Sequence, residues 1–231
     1  MPSIAENLAQ VRSRIAAAAG RSGRAADSVR LIAVSKTHPA TAVAEACAAG
    51  QVEFGENRVQ EALEKIPQSP PGAIWHLVGH LQSNKARFVP GAFRMVHSLD
   101  SVRLAEALAR HAEAAGRTVE VLLQANLSGE ASKSGVPDGA ALEPLLAATL
   151  RCPRLKPVGL MTIPDPAGGE GRTRAAFARL RELLGRLRDS CGAGADFREL
   201  SMGMSQDYEW AIEEGATLVR VGTAIFGVRS A

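Results

Sequence analysis

The chain has 231 residues, of which 46% are hydrophobic and 22% charged, and its formal net charge is +3; that apolar share supplies a large core and excludes a disordered chain. The positive charge is dispersed over separate Arg and Lys residues rather than gathered in a block, so the footprint of a nucleic-acid binder is missing and a small anionic partner fits better. No run reaches the roughly 18 apolar residues of a membrane span, and Cys47, Cys152 and Cys191 lie far apart without metal-ligand or redox spacing, as expected in a reducing cytoplasm.

Residues 1–28 read as an amphipathic helix and its connection to the first strand. Ser3 and Glu6 have the spacing of a capping box, and Ile4, Leu8, Val11 and Ile15 share one helical face. The arginines of this segment would also suit a transit peptide, but a helix packed on the domain is the simpler reading. β-rich runs then recur at Val29–Val34, Val52–Phe54, Trp75–Val78, Met95–His97, Val119–Leu123, Val158–Leu160, Glu199–Ser201 and Leu218–Val221, each followed by a helical pattern. Eight such units predict an α/β fold, a single (β/α)8 barrel (TIM barrel) spanning 1–231 as one domain. An open doubly wound sheet shares the alternation, and only the strand count separates the two.

Helix starts are marked in several places. Asp100-Ser101 precedes Leu104 and Leu108, Ser205 precedes a helix expected to stop at Gly215, and Gln82, Ser83, Asn84 and Lys85 read as the capped start of a solvated helix, with partner docking as the alternative. Pro164 to Gly171 is the longest expected loop.

Polar residues at the C-terminal ends of barrel strands face the active site. The first strand ends on Ser35-Lys36-Thr37, so Lys36 emerges from the apolar run Leu31-Ile32-Ala33-Val34, surroundings that favour a neutral, nucleophilic amine. Taken alone, Lys36 also reads as a solvated charge at a strand end. The last two strands lead into Leu200-Ser201-Met202-Gly203-Met204-Ser205 and Arg220-Val221-Gly222-Thr223, where small residues and hydroxyls can cradle a phosphate. Ser201, Gly222 and Thr223 are therefore the phosphate candidates, with ordinary turn chemistry as the plainer alternative. His80 reads either as an acid–base group or as a structural histidine, and His76 as a residue of the core or of the helix-facing layer.

These segments, together with Phe54-Gly55-Glu56-Asn57-Arg58-Val59-Gln60-Glu61, Trp75 to Lys85 and Gly159-Leu160-Met161-Thr162-Ile163, resemble the pyridoxal phosphate homeostasis proteins, in order and with family spacing from about residue 30 to residue 227. The resemblance implies the fold-type III barrel of alanine racemase and pyridoxal 5′-phosphate (PLP) held as an imine on Lys36. It implies that Ser201, Gly222 and Thr223 bind the phosphate, that Asn57 lies near the ring hydroxyl, Arg220 near the pyridine nitrogen and Met161 against the ring. It also suggests a monomer whose partners are PLP and apo forms of enzymes that use it. Lys133, in the similar segment Asn126 to Gly135, reads as an exposed loop lysine or as a transit point for the cofactor.

Two classes of function meet these residues: a carrier that stores, buffers or delivers PLP, and a PLP-dependent racemase or decarboxylase. An arginine beside the ring nitrogen keeps that nitrogen unprotonated and weakens the ring as an electron sink. Racemisation also needs a second proton-transfer group opposite the lysine. In the racemases that the chain resembles this is a tyrosine of a second domain, and here the sole tyrosine, Tyr208, falls in a helix after the seventh strand. The expectation is a carrier, with no catalytic residue and no metal ligand assigned. A cofactor-free Schiff-base aldolase accounts for Lys36 and the phosphate loops but not for the resemblance.

Overall fold

Nine strands order the described residues, and eight of them close a barrel. They are β1 (Arg30–Val34), β2 (Glu53–Glu56), β3 (Ile74–Leu77), β4 (Met95–Leu99), β5 (Val119–Asn126), β7 (Leu155–Met161), β8 (Glu199–Ser201) and β9 (Leu218–Val221), while β6 (Val136–Pro137) is a two-residue strand beside the end of β5. All pairings are parallel, the order is β4-β3-β2-β1-β9-β8-β7-β5, and the β4–β5 pairing closes the ring. The helices are α1 (Ile4–Arg21), α2 (Ala40–Ala48), α3 (Val59–Lys65), α4 (Val102–Ala114), α5 (Asp138–Leu150), α6 (Gly169–Cys191), α7 (Tyr208–Glu213) and α8 (Thr223–Phe226). The structure, a computed structural model, describes residues 2–127 and 134–227. Lys133 lies outside the described residues.

Side chains alternate across each strand, and the two faces build two cores. Ile32, Val34, Val78, Met95, Leu122, Val158, Met161 and Leu218 fill the barrel interior. The outward set, including Phe54, Leu77, Val96, Leu123 and Val219, joins the helices in the larger cluster. The open-sheet alternative is thereby excluded.

Three local expectations are corrected. Gln82–Lys85 opens not an α-helix but a 3-10 helix over Ser83–Phe88, ended by Pro90 and Gly91. Pro164–Gly171 is no long loop: Pro166–Gly168 forms a 3-10 turn and α6 begins at Gly169. The helix before Gly215 starts at Tyr208 with Asp207 at its N-cap, and in the turn ahead of it Asp207 accepts from Met204 N–H at 2.6 Å, so Ser205 is not the cap.

The N-terminal helix is an integral part of the packing. Ser3 and Glu6 form the expected capping box, and Leu8, Val11 and Ile15 are buried. Arg14 and Arg21 pair with Glu209 and Glu213 of α7, while Asn7 Nδ2 donates to the Ile225 carbonyl of α8 at 2.9 Å. Thus α1 ties down the two short helices that follow the last two strands. Leu8→Ala removes a fully buried side chain from this layer, and the expected loss is about 2–5 kcal/mol in urea denaturation. A loss below about 1 kcal/mol would show that α1 rides on the barrel without supporting it.

Candidate functional site

Of the residues singled out in the sequence, Lys36, Asn57, Gly222 and Thr223 follow the C-terminal ends of β1, β2 and β9. Inward parity on β1 runs through Ile32 and Val34 to Lys36, and on β2 through Gly55 to Asn57. Lys36 is half-buried rather than enclosed. Asn57 is held by a close backbone crossing, since a Cβ on Gly79 would stand 2.3 Å from the Asn57 carbonyl oxygen. Only glycine fits there.

The anion cradle lies next to the lysine. Strand β9 pairs with β1 in the register Ala33 to Val221, which brings Gly222 beside Val34; a Cβ at Gly222 would lie 3.1 Å from the Val34 carbonyl oxygen. The N–H groups of Gly222 and Ala224 both point at Ser205 Oγ, at 3.3 and 3.4 Å. These are long contacts for N–H donors, so the donors converge on a point that an anionic oxygen would satisfy better. Ser205 belongs to this cradle, and the sequence reading missed it because a serine ahead of a helix reads first as a cap. Thr223 is exposed at the start of α8.

Ser201 sits elsewhere than expected. Its hydroxyl is fully buried and faces the interior, where it accepts from Arg220 Nη1 at 2.6 Å and contacts His97 Nδ1 at 2.8 Å. Arg220 Nη2 donates to the Thr162 carbonyl at 3.0 Å. Burial lowers the Arg220 pKa to about 10, partly offset by Asp207, so the guanidinium is still charged at neutral pH. Met161 is buried and pairs in register with Ser201, placing it on the same inner layer.

A second polar cluster clamps Lys36 from outside the barrel. Ser35 Oγ donates to Glu56 Oε1 at 2.7 Å, and the buried Lys65 ammonium donates to the Ser35 carbonyl at 2.8 Å while pairing with both Glu56 and Glu61. Glu61 in turn accepts from the Thr37 N–H. Thr37 has φ of 66°, a left-handed conformation costly for a non-glycine residue. Both neighbours of Lys36 are therefore anchored, and the turn is held in a shape it would not choose alone. Burial pushes the Glu56 carboxyl above its ordinary range, against the opposing pull of Lys65 and Ser35.

The remaining sequence candidates lie apart from this mouth or play other parts. His80 is exposed, with Nδ1 3.3 Å from Asp100 Oδ2, and His76 is fully buried inside the barrel. Tyr208 is buried, with Arg14 stacked over its ring 5.4 Å from the centroid.

Residues 4–230 match the family model of the alanine racemase N-terminal domain, in keeping with a (β/α)8 barrel. The chain is 49% identical over 231 residues to the pyridoxal phosphate homeostasis protein of Pseudomonas aeruginosa, covering 99% of this chain and 97% of that protein. It is 45% identical over 233 residues to the one of Escherichia coli K12, covering 99% and 98%. PipY of Synechococcus elongatus, solved with PLP bound, superposes with a TM-score of 0.85 at 42% identity, covering 97% of this chain and all of that one. The chain belongs to the family of pyridoxal phosphate homeostasis proteins.

The Lys65 clamp has a measurable consequence. Lys65→Met leaves Glu56 buried with only Ser35 as donor, and the expected loss is about 3–5 kcal/mol in urea denaturation, recovered in part by adding Glu56→Gln. Additive losses in the double variant would show that the ion pair is not the unit of stability.

Proposed function

We propose that this chain holds PLP at the mouth of its barrel, with the aldehyde joined to Lys36 Nζ and the phosphate in the Ser205, Gly222 and Ala224 cradle, and that it stores, buffers or delivers the cofactor in the cytoplasm. One observation carries the reading: the β1–β9 register sets an amine and a convergent set of anion donors on adjacent strand ends. The donor chemistry fits a phosphate monoester, and the close approach of Gly222 to Val34 leaves no room for a side chain between cradle and lysine. The whole chain, 1–231, serves as one cofactor-holding unit.

When bound, PLP supplies an electron-withdrawing ring conjugated to the carbon–nitrogen linkage. The protein's own groups restrain that ring. Arg220 offers N–H donors and no acceptor, so a ring nitrogen facing it stays unprotonated. Asn57 lies where a ring hydroxyl would find a partner, and Met161 offers an apolar surface. Thr223 adds an exposed hydroxyl at the rim of the cradle, and Ser205 takes the phosphate role first read at Ser201, whose hydroxyl Arg220 and His97 occupy.

A carrier suits this geometry better than a racemase or decarboxylase. The sole tyrosine is locked under Arg14, and the half-buried Lys36 is open to exchange with solvent. Among the described residues no helix is long and apolar enough to cross a membrane. Apo forms of PLP-dependent enzymes are the acceptors we propose, with the carrier itself a monomer.

The purified protein is expected to show an absorption band of lysine-linked PLP that Lys36→Ala abolishes while the fold persists by circular dichroism. Ser205→Ala should keep the band and weaken binding by about tenfold or more, the worth of one hydrogen bond to a charged group. An unchanged band in Lys36→Ala would remove Lys36 as the attachment point. For the carrier role, the holo-protein incubated with amino acids in deuterium oxide is expected to leave Cα unlabelled on the timescale of PLP exchange; rapid labelling would make it an enzyme.

A further inference from the structure

A chain of buried polar groups runs through the barrel below the mouth, in a place where an apolar core would pack without it. From the top it reads Arg220, Ser201, His97, His76 and Glu53. Arg220 Nη1 donates to Ser201 Oγ, Ser201 Oγ lies 2.8 Å from His97 Nδ1, His97 Nε2 lies 3.0 Å from His76 Nδ1, and His76 Nε2 lies 3.2 Å from Glu53 Oε2, off the straight hydrogen-bond line. Both imidazoles are fully buried, with their planes at 73°.

With both rings neutral, the donors and acceptors admit one direction. A carboxylate accepts, so Glu53 requires a proton on His76 Nε2; a neutral His76 then presents a bare Nδ1, which requires a proton on His97 Nε2. His97 Nδ1 is therefore an acceptor and takes the Ser201 hydroxyl proton. Ser201 Oγ is left with its lone pairs for Arg220. Each link then points from the guanidinium at the mouth toward the carboxylate at the floor. Burial also depresses the His97 pKa well below 6.5, with His76, Arg220 and Arg30 adding to the effect.

We infer that His97 and His76, anchored on Glu53, are positioning residues that fix the orientation of the Ser201 hydroxyl and through it the Arg220 guanidinium. The inference rests on the reading that Arg220 faces the ring nitrogen of PLP. The Ser201 hydroxyl is committed downward and is not a phosphate ligand. The two remaining ties of Arg220, its Nη2 bond to Thr162 and the attraction of Asp207, do not set a hydroxyl direction, so the histidine chain is what makes the arrangement single-valued.

The charged and polar groups around the pair are Arg30 on β1, Glu53 on β2, Arg94 just ahead of β4 with its partner Glu120 on β5, Ser201 and Glu199 on β8, and Arg220 on β9, with Arg30 bridging Glu53 and Glu199 at 3.5 and 3.4 Å. A folded His97 held neutral below 6.5 contributes stability that is fully present above about pH 6.5 and is lost as pH falls, because the unfolded chain takes up the proton first.

The test begins with the apo-protein, where nothing depends on the cofactor. Nitrogen-15 NMR of labelled histidine is expected to show the ring proton of His76 and of His97 on Nε2, and His97 not titrating between about pH 5.5 and 8, a window that brackets the ordinary histidine pKa of roughly 6.5. A proton on Nδ1 of either ring, or a His97 midpoint near that of free histidine, would overturn the inference whatever PLP does. With nitrogen-15-labelled PLP, Ser201→Ala and His97→Leu are each expected to move the ring-nitrogen resonance and weaken binding by about tenfold, and the double variant to be no worse than either alone, as for members of one chain. Leu8→Ala, which destabilises the fold elsewhere, should leave that resonance in place. Additive effects, or a shift in Leu8→Ala equal to theirs, would reduce the histidines to a structural role. Should wild type show the expected tautomers but no PLP resonance shift on mutation, the chain stands and the placement of Arg220 at the ring falls.

Discussion

Parallel pairing of β1 with β9, from Arg30 with Leu218 to Ala33 with Val221, joins the two ends of the folded chain and closes the barrel between them. The pairing is entropically expensive because nearly the whole sequence lies inside the loop it closes. It is also the contact that makes chemistry available. Lys36 continues the inward face of β1, Gly222 continues β9, and a slip of one residue would turn Lys36 toward the helices and the Gly222 N–H away from the cradle. The α1 helix reinforces this junction from outside, since its arginines hold α7 and its Asn7 holds α8.

Two polar systems lie on opposite faces of the barrel wall. Outside the barrel, Lys65, Glu56 and Glu61 clamp Ser35 and Thr37; inside it, the ladder from Glu53 to Arg220 holds the cation beside the cradle. Each contains buried charge whose desolvation is offset only when every member is present. Interiors with such groups gain uniqueness of geometry rather than stability, and here the geometry is that of one lysine and one arginine.

The fold was legible in the sequence wherever the signal was local and periodic. Runs such as Leu31 to Val34 and Val119 to Leu123 alternate or fill both faces as barrel strands do, and Ser3 with Glu6 announced α1. Lys36 and Gly222 could be placed at strand ends from residue type alone, whereas Asn57 and Arg220 came into view only through the family resemblance. Ser205 was hidden because its partners, Gly222 and Ala224, belong to the next βα turn. Lys65 and Glu61 have the spacing of a solvated helix pair, and nothing in that spacing reveals that Ser35 and Glu56 close over the ammonium. His76 and His97 lie on different strands, so their contact is set by barrel register alone.

The balance between holding and transforming a cofactor follows from where charge is kept. A carbanion-stabilising site protonates the ring nitrogen through a carboxylate, excludes water and sets a second base across from the lysine. On the proposed placement of the cofactor a guanidinium takes that position, still cationic with its pKa lowered to about 10, and His97, whose pKa burial lowers, is in no state to pass it a proton at neutral pH. Its tyrosine is committed to packing between α1 and α7. The proposed site keeps a reversible amine, a phosphate cradle and an open mouth, a combination whose equilibrium would be governed by free PLP and by any apo-enzyme that binds it more tightly.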